Sequence, residues 1–368
     1  MSSHPILGTK ALGPRWETMD PFLFCVYHDD DYPRGNAQMG PDAALDGRAL
    51  GQDFSRKDGW SMYHGSVVPG FPSHPHRGFE TVTIVRKGLI DHSDSLGASA
   101  RFGQGDVQWL TAGKGIVHAE MFPLLDTAQP NRLELFQIWL NLPAASKMAP
   151  PHFKMFWSEE IPSTVDKDAQ GRATYVSVVA GKLQSEAGGD MIDPLAPPPD
   201  SWAARASADL AIWTLRMEPG AKWTLPAAAK GTNRVLYFFK GKSVVVAGQA
   251  IASHCAIELN ADALVELVNG DSVGEFLVLQ GQPIGEAVVQ YGPFVMNSQA
   301  EIMQTMQEYQ RTQFGGWPWG DPAPTHGRDP ARFAKHPGGQ EEKPPALPHT
   351  ETAQLKLSHA QRPAAFPS

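Results

Sequence analysis

Apolar and polar positions alternate along most of this chain in short runs, each closed by a turn signal. Thr81-Val82-Thr83-Ile84-Val85 reads as a strand, Lys87-Gly88 as a turn, and Leu89-Ile90-Asp91-His92 as the start of the next strand. Ser95-Leu96-Gly97 marks another turn, and residues 106–110 and 133–140 read as further strands. A later series follows at 176–183, 211–217, 234–239, 243–247, 263–268 and 275–279. Period-two alternation over a few residues is the mark of a half-buried strand, and many such runs at regular spacing predict an all-β sandwich or barrel. The two series echo each other. Met217-Glu218-Pro219-Gly220 is similar to Val67-Val68-Pro69-Gly70, and Arg234 to Gly241 is similar to Thr81 to Gly88. Such an echo suggests an internal duplication.

Other stretches break the pattern. Residues 1–20 read as an extended lead-in, and 28–59, rich in Asp and Gly, as a long surface loop. Residues 188–200 contain Pro197-Pro198-Pro199 and read as a linker. Ser298 stands three residues before Glu301, a capping box, and Ile302, Met306 and Tyr309 follow at helical spacing. The expected division is a first barrel over 1–155, a second over 156–297, a helix and packing segment over 298–321, and a mostly disordered tail over 322–368. That tail is expected because its composition turns to Pro, Gly, His and charge.

Composition narrows the function classes. The chain has 368 residues, enough for about two domains. Its formal net charge is −8, with no Lys/Arg block, which argues against phosphate-driven binding of nucleic acid. The two cysteines, Cys25 and Cys255, cannot make a disulfide framework or a CxxC metal site. The first residues lack a secretory pattern, and no apolar run approaches the length of a membrane span. A cytoplasmic, membrane-free protein is the expectation.

The candidate chemistry lies in two pairs. His74 and His76 flank Pro75, and His118 and Glu120 flank Ala119. In an extended chain, residues i and i+2 share a face, so each pair can present two donors to one ion. Three imidazoles and a carboxylate suit a first-row divalent metal. Glu80 lies four residues after His76, so strand alternation places it on the ligand face, as a base or as a hydrogen-bond partner of a ligand. Gln108, Trp109 and Gln137 are within reach of the pocket in one strand phase, which the sequence does not fix; packing or the surface is the expectation for each. His64 and His92 are expected as solvated or hydrogen-bonded rings. Phe79, Val82, Ile84, Phe136 and Ile138 are expected in the barrel core.

The run HPHRGFETVTIVRKG from His74 resembles the first motif of the cupin superfamily, and GDVQWLTAGKGIVHAEM from Gly105 resembles the second. With DSLG at Asp94, YGPFVMN at Tyr291 and FGGWPW at Phe314, the chain resembles the pirin family over about residues 10–320, in its longer bacterial form. The resemblance implies two cupin barrels, jelly-roll-like, with iron(II) in the N-terminal one only, held by His74, His76, His118 and Glu120. Another first-row divalent ion would fit the same donors. In the second half the HPH positions fall on Ala227 and Ala229, and His254 is the one histidine between 153 and 325. The resemblance further implies a quercetin 2,3-dioxygenase-type activity on a flavonol or similar enolic or catecholic aromatic, with dioxygen as co-substrate. Its alternative implication is a redox-sensitive regulator that binds a transcription factor or metabolic enzyme, with the long loop and the tail as contacts for a protein partner.

Overall fold

The computed structural model describes residues 4–185, 191–252 and 254–346. The chain divides into two compact units, and both ends of the chain cross the expected division. Among the described residues, the first unit takes 27–137, 147–160 and 287–346; the second takes 4–26, 138–146, 161–185, 191–252 and 254–286. A boundary near 155 therefore does not describe the folded chain. The lead-in makes a strand, Ile6–Ala11, which pairs with Cys255–Asn260 on the edge of the second unit. Pairing satisfies the amides of an edge strand that would otherwise stay open.

The first unit is a pair of sheets. One runs in the order Phe333–Lys335, Ser99–Gly103, Leu89–Asp94, Ile116–Met121, Gly70–His76, with the short strand Glu341–Glu342 outside the first. The other runs His152–Phe156, Val107–Thr111, Phe79–Lys87, Asn131–Asn141, Phe22–Tyr32. The strand Phe22–Tyr32 takes in residues 28–32, which the sequence placed in a loop. Alternation decides which side chains face inward. Ala98, Ala100 and Phe102 enter the core while Arg101 points outward; Val85, Leu110, Leu133 and Leu135 meet them from the facing sheet. Each large apolar side chain buried this way contributes about 1.5–3 kcal/mol.

The second unit repeats the plan. Its larger sheet runs Ile6–Ala11, Cys255–Asn260, Asn233–Lys240, Gly274–Gly281, Ala211–Met217, Ala173–Ala180, Ser163–Lys167. A smaller sheet of Lys222–Leu225, Val265–Asn269, Val244–Val246 and Gln249–Ile251 accompanies it. The core is apolar, with Trp213, Trp223, Phe238 and Phe276 at its centre. His254 lies exposed and bonds the Gly241 carbonyl at 3.0 Å.

The helix forms where the capping box places it, Gln299–Thr312, with the Ser298 side chain accepting from the Glu301 amide. Ile302 packs with Val117, Phe294, Met296 and Phe314 of the first unit.

Residues 322–346 correct the expectation of a disordered tail. Phe333–Lys335 pairs with Ser99–Gly103, and Ala334 is fully buried. Arg101 is also fully buried; its guanidinium clasps Asp91 at 2.7 and 2.6 Å and donates to the carbonyls of Gly327, at 2.8 Å, and Asp329. Arg332 donates to Asp106 at 2.6 Å and pairs with Glu159. The composition is hydrophilic, yet the segment's carbonyls satisfy a buried cation and its strand closes a sheet edge. Residues 347–368, the rest of the expected tail, lie outside the described residues.

Candidate metal centre

The strand carrying His74 pairs with the strand carrying His118. His74 stands opposite His118, and His76 opposite Ile116. A register shift between Phe71 and His74 precedes them. The close approach of these strands depends on Gly70 (φ 129°), where a Cβ would meet the Glu120 carbonyl at 2.5 Å. The result is a cluster of three rings. Their candidate ligand nitrogens lie within 4.8 Å of one another, and the ring centroids are 4.5–4.8 Å apart.

Each imidazole is prepared differently. His74 Nδ1 lies 2.8 Å from the Pro72 carbonyl. A carbonyl only accepts, so Nδ1 carries the hydrogen and Nε2 keeps its lone pair. His76 bonds the Pro293 carbonyl. His118 is fully buried, and neither ring nitrogen has a hydrogen-bond partner. Burial holds His74 at a pKa of about 4 and pushes His76 and His118 well below the ordinary histidine value. All three are neutral near pH 7, the form that ligates metal.

Glu120 lies beside His118, outside the group of three whose donors all approach within 4.8 Å of one another. Its Oε2 lies 3.9 Å from His118 Nε2. The Gln137 amide donates to the same oxygen at 2.8 Å, and the Thr83 hydroxyl meets Oε1 at 3.3 Å. Thr83 also bonds the Gln137 amide oxygen, which turns the amide nitrogen toward the carboxylate. Burial raises the Glu120 pKa, and a nearby cation would draw it back down. The orphaned nitrogens of His118 and the buried carboxylate beside them fit a divalent ion, because a buried polar group without a partner costs about 1–3 kcal/mol. His74, His76, His118 and Glu120 are the residues that could hold it.

Glu80 is not brought into this cluster. It accepts from the Thr111 hydroxyl at 2.7 Å and is fully buried. Thr83, three residues on, faces Glu120, so Glu80 occupies the opposite face of its strand. Gly78 (φ 86°) breaks the alternation between His76 and Glu80 and resets the phase. Gln137, expected in packing or at the surface, is in the site. So is His92, whose ring lies 5.4 Å from that of His118. The signal for Gln137 was its phase with Leu133 and Leu135, which a register fixed from the core would have revealed. His64 is exposed and bonds the Gly51 carbonyl at 2.7 Å. Phe79 packs on His76 at 5.0 Å.

Arg77 fixes the loop that follows His76. It is buried, donates to the Lys114 carbonyl at 2.7 Å and to Glu308 of the helix at 2.8 Å, and lies over the Phe314 ring. The helix is thereby tied to the chain next to a candidate ligand.

Comparison with known proteins bears on the family and the fold. The pirin family model matches residues 8–140, and that of the pirin C-terminal cupin domain matches 212–315. A Pseudomonas aeruginosa protein, named provisionally as a quercetin 2,3-dioxygenase, is 35% identical over 247 residues, 67% of this chain and 79% of its own length. A pirin-like protein of Solanum lycopersicum is 33% identical over 281 residues, 74% of this chain and 88% of its own. The crystal structure of quercetin 2,3-dioxygenase from Acinetobacter baumannii superposes with a TM-score of 0.65 at 27% identity, covering 85% of this chain and 98% of that one. Among the described residues, no helix is long and apolar enough to cross a membrane.

Proposed function

The chain belongs to the pirin family, and from that premise we propose that it is a metal-dependent dioxygenase of the quercetin 2,3-dioxygenase type. Its substrate is a small aromatic with an enolic or catecholic oxygen pair, and iron(II) is the proposed metal. One observation carries the reading: two buried imidazoles, His76 and His118, and the half-buried ring of His74 converge beside a buried carboxylate, and His118 has no other partner. The resemblance to a solved quercetin 2,3-dioxygenase supplies the reaction class.

A first-row ion held there supplies Lewis-acid and redox chemistry at the substrate oxygens. The chain supplies the rest. The Pro72 carbonyl fixes the tautomer of His74, and so the direction of its free lone pair. Gln137 holds the Glu120 carboxylate in one orientation, and the Thr83 hydroxyl holds the Gln137 amide. Phe71 sits 6.3 Å from His74 and 6.0 Å from Phe122, an apolar layer that keeps bulk water from the donors. Glu80, on the other face, has no part in the proton chemistry.

Dioxygen uptake with quercetin tests the proposal. Iron-loaded wild type consumes dioxygen as the flavonol absorbance falls, and His118→Ala does neither. A wild type that holds one iron per chain and consumes no dioxygen with any flavonol overturns it.

A further inference from the structure

Three polar side chains on the histidine-bearing face of the first unit are fully or almost fully buried and keep polar atoms without hydrogen-bond partners. They are the Thr81 hydroxyl, His92 Nδ1, and both ends of the Gln108 amide. Register places them together. Gln108 stands opposite Thr83, whose hydroxyl meets Glu120; Thr81 stands opposite Leu110, a residue of the inward core. His92 stands opposite Glu120 itself. Its ring lies between those of His118, at 5.4 Å, and Phe153, at 5.2 Å. All three point into the space between the two sheets, on the side shared by the candidate ligands.

A buried amide with neither end satisfied costs as much as two lost hydrogen bonds, and folded proteins rarely keep one. The partners it needs have a definite chemistry. Gln108 offers one acceptor and two hydrogens. The Asp94 carboxylate, 3.3 Å from His92 Nε2, only accepts, so Nε2 carries the ring hydrogen and the Nδ1 lone pair is left as an acceptor. Thr81 can donate or accept. Two acceptors therefore look for hydroxyl hydrogens, and the amide hydrogens look for an oxygen.

We infer that Thr81, His92 and Gln108 form a polar subsite beside the metal centre that binds hydroxyl groups of the aromatic substrate other than its metal-binding oxygen pair. The inference rests on the flavonol reading above and adds a basis for selectivity. Polyhydroxylated flavonols are favoured over the bare ring system. The alternative occupant is ordered water, which would make the same bonds and confer no selectivity.

The test is equilibrium binding without oxygen, so turnover is not needed. Quercetin and 3-hydroxyflavone share the hydroxyl–carbonyl pair that meets the metal, but 3-hydroxyflavone lacks the other hydroxyls. Each is titrated anaerobically into iron-loaded wild type, Gln108→Met and Thr81→Val, with metal content measured in every sample. Thr81→Val conserves shape and keeps the test open if Gln108→Met folds poorly. Wild type is expected to bind quercetin at least 10-fold more tightly than 3-hydroxyflavone. Either variant is expected to cut that ratio about 3–10-fold with the affinity for 3-hydroxyflavone unchanged, the size of a lost neutral hydrogen bond. Equal affinities in wild type, or a ratio untouched by both variants, assign the subsite to water and overturn the inference while the flavonol reading stands. A wild type that binds neither compound overturns both.

Discussion

Replacing Gln137 with Met should weaken metal binding much more than replacing Thr83 with Val. Gln137 donates to Glu120 directly, whereas the one Thr83 hydroxyl hydrogen goes to the Gln137 amide oxygen. The Gln137 amide reaches Oε2 at 2.8 Å, within the range of a charge-assisted bond, whereas the Thr83 hydroxyl stands at 3.3 Å from Oε1, long for an O–H donor. A hydrogen bond to a charged group contributes about 1.5–3 kcal/mol, so losing the amide should raise the metal Kd roughly 10–100-fold. Thr83, acting through Gln137, should contribute under about 1 kcal/mol, a few-fold at most. Met matches Gln in length and keeps the packing, so the change isolates the donor. Competition against a chelator of known affinity, at fixed pH and with iron(II) under nitrogen, gives the Kd of each variant. Circular dichroism and a melting curve confirm that the fold is retained. An unchanged Kd for Gln137→Met, or a larger loss for Thr83→Val, would refute the assignment of Glu120 as a ligand held from behind by Gln137.

Further outcomes follow from the same structure. Arg101→Met should lower unfolding free energy by about 3–5 kcal/mol in a urea titration, because it leaves the Asp91 carboxylate buried without its cation; a loss below about 1 kcal/mol would contradict the burial. Glu80→Gln should keep turnover within about 3-fold, since its carboxylate serves Thr111 on the opposite face; a 100-fold loss would return it to the reaction. Stability should also depend on His28, whose pKa burial lowers to about 4 from 6.5. The unfolded chain then binds the extra proton, so this contribution is intact above pH 6.5 and is lost as pH falls toward 4, by up to about 3 kcal/mol. Asp30, raised by burial to about 6, acts in the opposite sense: its cost appears as pH rises from about 4 to 6. Urea midpoints across pH 4–7 should therefore fall less steeply toward acid in His28→Phe than in wild type, and more steeply in Asp30→Asn. Parallel curves for all three would dismiss both assignments.

The three-histidine cluster was legible in the sequence because its chemistry is local. HxH and HxE put two donors on one face without knowledge of any distant contact, and the strands around them alternate plainly. Glu80 was misplaced because alternation was carried through Gly78, whose positive φ no pattern of apolar residues reports. Gln137 and His92 were set aside because a polar residue in a strand has two faces to choose from, and only the pairing partners decide. The segment after residue 321 misled for a different reason. Its composition is that of a solvated chain, but what it contributes is mainly backbone: carbonyls at Gly327 and Asp329 for a guanidinium more than 220 positions earlier. Side-chain composition carries no trace of that debt.

The return of residues 287–346 to the first unit also sets an order of events during synthesis. His74, His76, His118 and Glu120 leave the ribosome long before Ala334 does. At roughly 5–20 residues per second, the interval between Glu120 and residue 346 is about 10–45 s. Throughout it, the nascent barrel lacks the strand that covers Ser99–Gly103, and Arg101 lacks two of its acceptors. An exposed edge beside a half-satisfied cation is a surface on which neighbouring nascent chains can pair. Overexpression at high temperature should therefore yield aggregates enriched in chains stalled or truncated before residue 327, while released chains close the edge with their own Phe333–Lys335 strand.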